Sequence, residues 1–115
     1  MKIHYIEMVS SDVTATCHLH ECIDGLEFSS PDPDLGGARV ALRPDGVRIG
    51  VRAPMHEAEQ PLTRHYFLTE DITSTLAQAV SAGAITLLPP MPLGPHGSCA
   101  IVESGGVQIG FWSID

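Results

Sequence analysis

Apolar and polar residues along the 115-residue chain alternate with two different periods. A period of two, or a short apolar run between turns, marks residues 3–9, 26–29, 39–42 and 47–52 as strands, and residues 66–69, 84–88, 99–102 and 107–112 as a second set. A helical period marks two segments. In the later one Ile72, Leu76, Ala79 and Val80 recur on one face, with Asp71 or Thr73 as N-cap and Gly83 as the stop. The earlier one is weaker, with Val13, Cys17, His20 and Ile23 running up to Gly25. The pieces SPDPDLGG, RPDG, PPMPLGPHG and ESGG read as turns. Residues 88–97, with four prolines, read as a stiff connector.

The two sets are copies of one pattern. GVRIGV at 46–51 returns as GVQIGF at 106–111, and residues 37–43 fall on 97–103 at the same offset. DVTAT at 12–16 falls on DITST at 71–75, and His4-Tyr5 falls on His65-Tyr66. An offset that drifts only at loops is the signature of a duplicated supersecondary unit. The chain therefore reads as a βαβββ module over 1–53 and a second over 65–115, joined by a polar linker over 54–64.

Composition narrows the function. At 43% hydrophobic the chain has the material for one buried core. Its net charge of −8 argues against a phosphate-backbone partner, so nucleic acid is not expected. Three cysteines show no framework spacing, and the N-terminus lacks a signal-peptide core, which points to a reducing cytoplasm. No apolar run approaches the roughly 20 residues that span a bilayer.

Candidate chemistry lies on the final strand of each module. Val47, Ile49 and Val51 face one way and Arg48, Gly50 and Arg52 the other; Val107, Ile109 and Phe111 oppose Gln108, Gly110 and Trp112 in the same manner. The apolar face covers the helices. The opposite face offers arginines for an anionic group and an indole for stacking. Each feature has a plainer counterpart: arginine reaches solvent from a strand end, and glycine lets backbones approach closely with no pocket left. The run Cys17 to Cys22 matches no short zinc spacing, and Cys17 reads as a small buried hydrophobe.

The doubled pattern resembles the vicinal oxygen chelate superfamily, which holds glyoxalase I, extradiol dioxygenases and bleomycin-resistance-type binding proteins. The likeness is carried by IHYIEMVSSDVTATCHLHECIDGLEF at the opening and ESGGVQIGFW at the close, and covers nearly the whole chain. It implies an α+β fold in which two tandem βαβββ modules form a curved mixed sheet around a cleft, and a homodimer. Metal-dependent members take ligands from the first and last strands of each module. His4 and His65 match the first-strand positions, whereas Gly50 and Gly110 stand where a carboxylate is required. Two imidazoles fall short of the three or four ligands of a catalytic site. The expectation is a cofactor-free, metal-free binder of a small aromatic or cationic molecule, using His4, His65, Arg48, Gly50, Arg52, Gln108, Gly110 and Trp112. The alternative is a lyase, isomerase or dioxygenase holding Ni, Zn, Mn or Fe through His4, His65 and a further ligand.

Overall fold

The computed structural model describes residues 1–114. In chain order the elements are β1 (Ile3–Val9), α1 (Val13–Asp24), β2 (Arg39–Leu42), β3 (Arg48–Arg52), β4 (Leu62–Leu68), α2 (Ile72–Ser81), β5 (Ile85–Pro92), β6 (Ser98–Ser104) and β7 (Val107–Ser113). Two compact units emerge: residues 5–63, and residues 1–4 together with the chain from 64 onward.

In the first unit β3 is central, parallel to β1 and antiparallel to β2. Ile49 and Val51 of β3 pack with Cys17 of α1, Ala41 and Leu26, and Ile6, Met8, Val13 and Phe28 close around them. Burial pushes the Cys17 thiol above its ordinary pKa, as expected of a cysteine used as a hydrophobe. The helical face is narrower than the spacing predicts, because Ile23 is exposed and His20 only half-buried. Residues 26–29 do not form the expected strand. Only Ser29 bonds to β2, through its N–H to Val40 O and its hydroxyl from Val40 N. Beyond Ser29 the ladder resumes only at Asp32, whose N–H donates to Ala38 O at 2.8 Å, because Pro31 and Pro33 on either side have no N–H to offer.

In the second unit the order is β4-β7-β6-β5, with β4 parallel to β7 and the other pairs antiparallel. Gly105 and Gly106 link β6 to β7, both at positive φ (59° and 82°), as a two-residue hairpin turn requires. Helix α2 lies over β5, β6 and β7. Ile72, Leu76 and Ala79 are half-buried beneath it, while Val80 points outward. Two boundaries differ from expectation. β4 starts at Leu62 and so takes in the end of the predicted linker. β5 runs on to Pro92, through Pro89 and Pro90. It can do so because it is the last strand of its order and because register shifts at Thr86/Leu88 and Leu88/Met91 absorb the irregularity.

Both helices start with the same device. The N–H of Ala15 donates to Asp12 Oδ1 at 3.1 Å, and that of Ser74 to Asp71 Oδ1 at 3.0 Å. Ser10 and Thr16 hydroxyls meet at 2.7 Å, and those of Thr69 and Thr75 at 2.6 Å. Ser10 N–H donates to Arg52 O, and Thr69 N–H to Trp112 O, each at 2.8 Å. The DVTAT and DITST echoes therefore have one physical meaning: a capped helix start tied to the end of its parallel neighbour strand. Among the described residues no helix is long and apolar enough to cross a membrane.

Candidate functional site

In the first unit the glycine-bearing face of β3 is filled. Gly50 lies opposite Glu7 in the parallel ladder, and the ring and hydroxyl of Tyr5 occupy the space that a Cβ on Gly50 would need. Beside it Arg52, only 4% exposed, donates through Nε to Glu7 Oε2 at 2.8 Å. Its two terminal nitrogens make a fork on Glu59, both bonds at 2.7 Å, and one also reaches Ala53 O at 3.1 Å. Glu59 in turn accepts from the Met55 N–H at 2.8 Å. These bonds hold the Glu59 carboxyl down at a pKa of about 2, chiefly through the Arg52 hydrogen bond. The same Glu59 bond pushes Arg52 further up. The Tyr5 hydroxyl is raised by burial first and by the Glu7 charge second. Arg52 thus sits between two carboxylates of its own unit and does not project into open space, and Arg48 is exposed at the strand start.

The second unit repeats the arrangement with different polar partners. Tyr66 lies opposite Gly110, and its ring fills the volume of a Cβ there. Arg64 donates from Nε to Gln108 Oε1 at 2.9 Å and from Nη1 to Tyr66 Oη at 3.3 Å. Trp112 is 5% exposed, with the His4 ring 5.3 Å away and the Tyr66 ring edge-on at 5.6 Å. Its indole N–H donates to His96 O at 2.9 Å, which anchors the proline-rich connector on Trp112. His65 alternates away from Arg64 and Tyr66 and is exposed. Of the residues singled out in the sequence, the structure brings together His4 with Trp112 but leaves His65 and Arg48 outside both clusters.

Five participants escaped the sequence reading: Tyr5, Glu7, Glu59, Arg64 and Tyr66. The tyrosines did carry a signal, since the doubled pair is His-Tyr, and alternation puts only one of the two on the glycine side. Arg64, two residues before Tyr66, shares that side.

One open concavity in the first unit lies at the start of α1. It is a groove of about 310 Å³ lined by Met8, Val9, Ser10, Ser11, Thr16, Pro61, Leu62 and Thr63. Four lining residues are apolar, four carry hydroxyls, and none is charged.

No protein-family model and no curated protein matches the chain. Solved structures do. A methylmalonyl-CoA epimerase from Mycobacterium tuberculosis superposes with a TM-score of 0.75 at 13% identity, over 98% of this chain and 87% of that one. A hypothetical protein from Bacillus halodurans gives 0.74 at 13% identity, over 99% and 94%. A Streptomyces coelicolor methylmalonyl-CoA epimerase variant, in complex with 2-nitronate-propionyl-CoA, gives 0.71 at 18% identity, over 99% and 97%. The chain has the vicinal oxygen chelate fold. At these identities the likeness carries the architecture alone, and the activity has to be argued from the residues.

The residues do not fit the metal that vicinal oxygen chelate proteins can hold. The last-strand positions are glycines without a donor atom, and Tyr5 and Tyr66 fill the space beside them. In the second unit the first-strand histidine, His65, lies on the other side of β4 from Gly110's partner Tyr66. A catalytic divalent ion needs three or four convergent donors, and neither unit converges them around its glycine.

Proposed function

We propose that the protein is a metal-independent binding protein with a vicinal oxygen chelate fold, taking a small, uncharged, partly apolar molecule into the groove at the start of α1. The observation that carries this reading is the lining of that groove. Met8, Val9, Pro61 and Leu62 offer apolar area, and the hydroxyls of Ser11 and Thr63 supply directional contacts without charge, beside the Ser10 and Thr16 hydroxyls that are bonded to each other. A flat aromatic carrying a hydroxyl or carbonyl suits such a surface. A cation finds no carboxylate among the lining side chains, so the aromatic half of the expectation is retained and the cationic half is set aside.

The ligands named for the epimerases are coenzyme A esters, which carry phosphates. Phosphate recognition draws on arginine and lysine. None lines the groove, and Arg52 and Arg64 are committed to Glu7, Glu59, Gln108 and Tyr66. A coenzyme A ester is therefore not the ligand proposed.

The test is a fragment screen by backbone-amide NMR on the intact chain, with methylmalonyl-CoA as a separate arm. Neutral aromatic fragments are expected to shift the amides of Ser10, Ser11, Thr16 and Thr63, and a bulky Thr63→Trp variant to lose those shifts. Shifts produced by methylmalonyl-CoA alone, or fragment binding indifferent to Thr63→Trp, would overturn the proposal.

A further inference from the structure

Helix α1 carries a feature that neither the groove nor the glycine faces use. His18 and Cys22, four residues apart, lie on one side of the helix, with Cys22 Sγ 3.5 Å from His18 Nε2. The other ring nitrogen, Nδ1, faces Glu21 Oε1 at 3.9 Å. The His18 side chain is 75% exposed and Cys22 is exposed too, whereas Cys17 and Cys99 are buried.

The 3.5 Å separation is informative. Zinc bonds of about 2.3 Å to sulfur and about 2.0 Å to nitrogen, meeting near the tetrahedral angle, place the two donor atoms roughly 3.5 Å apart. The spacing suits one ion, but Sγ also lies 3.9 Å from Nδ1, beside the ring, so the exposed His18 ring has to turn to aim its Nε2 lone pair at an ion shared with the thiolate. Thiolate and imidazole together select a borderline-soft cation such as Zn²⁺ over Mg²⁺ or Ca²⁺.

Two donors make half of a tetrahedral site. The remainder of the helix surface indicates what supplies the other half. Leu19 and Ile23, each one residue beyond a ligand, are 54% and 67% exposed, an unusual state for two large aliphatic side chains on one short helix. A second α1 laid against the first would cover them while presenting a second His18 and Cys22. We propose that His18 and Cys22 form a half-site for a zinc-like divalent cation, completed by the same two residues of a second copy of the chain. Binding displaces one proton from each thiol, so two thiolates balance the dication and two neutral imidazoles complete the shell. The cation also offsets the repulsion between chains that each carry a net charge of −8.

The test is titration of the reduced, intact chain with Co²⁺ under anaerobic conditions, followed by absorption and by sedimentation. Thiolate-to-cobalt charge transfer and the visible bands of tetrahedral cobalt should saturate at one ion per two chains, with the mass doubling in step. Cys22→Ser and His18→Ala should each weaken binding at least tenfold. Both positions are exposed, so their thermal melts should match the parent and separate lost binding from lost folding. Absence of the bands, or their persistence in either variant, would overturn the assignment. Saturation at one ion per chain with no change in mass would overturn the completion by a second copy.

Discussion

Tyr5 takes the place of the side chain that Gly50 lacks: a Cβ on Gly50 would overlap the tyrosine hydroxyl. Tyr66 does the same for Gly110, but there the overlapping atoms belong to the ring itself, Cδ2, Cε2 and Cγ.

Gly50→Ala and Gly110→Ala are therefore both expected to destabilise the fold by about 2 kcal/mol, the usual scale of overpacking in a filled core. Combination with phenylalanine separates them. Tyr5→Phe removes the atom nearest the new methyl and should recover part of the Gly50→Ala loss, whereas Tyr66→Phe should recover none of the Gly110→Ala loss. Urea denaturation of the four single and two double variants measures this, and equal recovery at both sites would refute the packing argument.

Acid should release the segment that Glu59 holds. Its carboxyl titrates at about 2 in the folded chain against an ordinary 4.5, so its contribution is complete above 4.5 and is lost as pH falls towards 2. Stability measured between pH 5 and pH 2 should fall less steeply in Glu59→Gln than in the parent. Arg52→Gln should be costlier than Glu59→Gln, about 3 kcal/mol, because it strands Glu7 and Glu59 with their charges unpaired.

His65→Ala should leave bound metal unchanged, as its imidazole is exposed and turned away from Tyr66 and Gly110. Elemental analysis after loading with Ni, Zn, Mn or Fe and desalting checks this, performed in a Cys22→Ser background so that α1 does not contribute. A metal lost with His65 would bring back the lyase and dioxygenase reading.

Asp12→Ala and Asp71→Ala should each cost about 1 kcal/mol, since each caps a helix through one N–H bond of nearly equal length. Thermal melts of the two variants should agree closely. A large difference would mean that the shared hydrogen-bond pattern does not carry shared energetics.

Trp112 should emit as a buried indole and resist acrylamide, with its N–H bound to His96 O and its ring between His4 and Tyr66. Ready quenching by acrylamide would contradict that packing.

Much of the fold was legible because it is local. Alternation located β1, β2, β3, β6 and β7, Asp12 and Asp71 marked the helix starts, and the echo of DVTAT in DITST turned out to be one hydrogen-bond pattern made twice. The contents of the glycine faces were not legible, because they depend on register between strands distant in sequence. Nothing local says that Tyr5 rather than His4 faces Gly50, or that Glu59, from a stretch read as linker, closes on Arg52. The prolines of β5 misled in the opposite sense: they normally exclude a strand, and here they are accommodated by its position at the end of the order.

That accommodation also decides how well the outer edge of β5 could pair with another strand. β5 carries Ile85, Leu87 and Met91 exposed, a composition that in a regular terminal strand would invite further chains to add on and grow into aggregates. Pro89, Pro90 and Pro92 remove three amide donors from eight residues, and the two register shifts break the even spacing that a newcomer would have to match. The side chains are sticky, but the backbone beneath them is a poor template for an added strand.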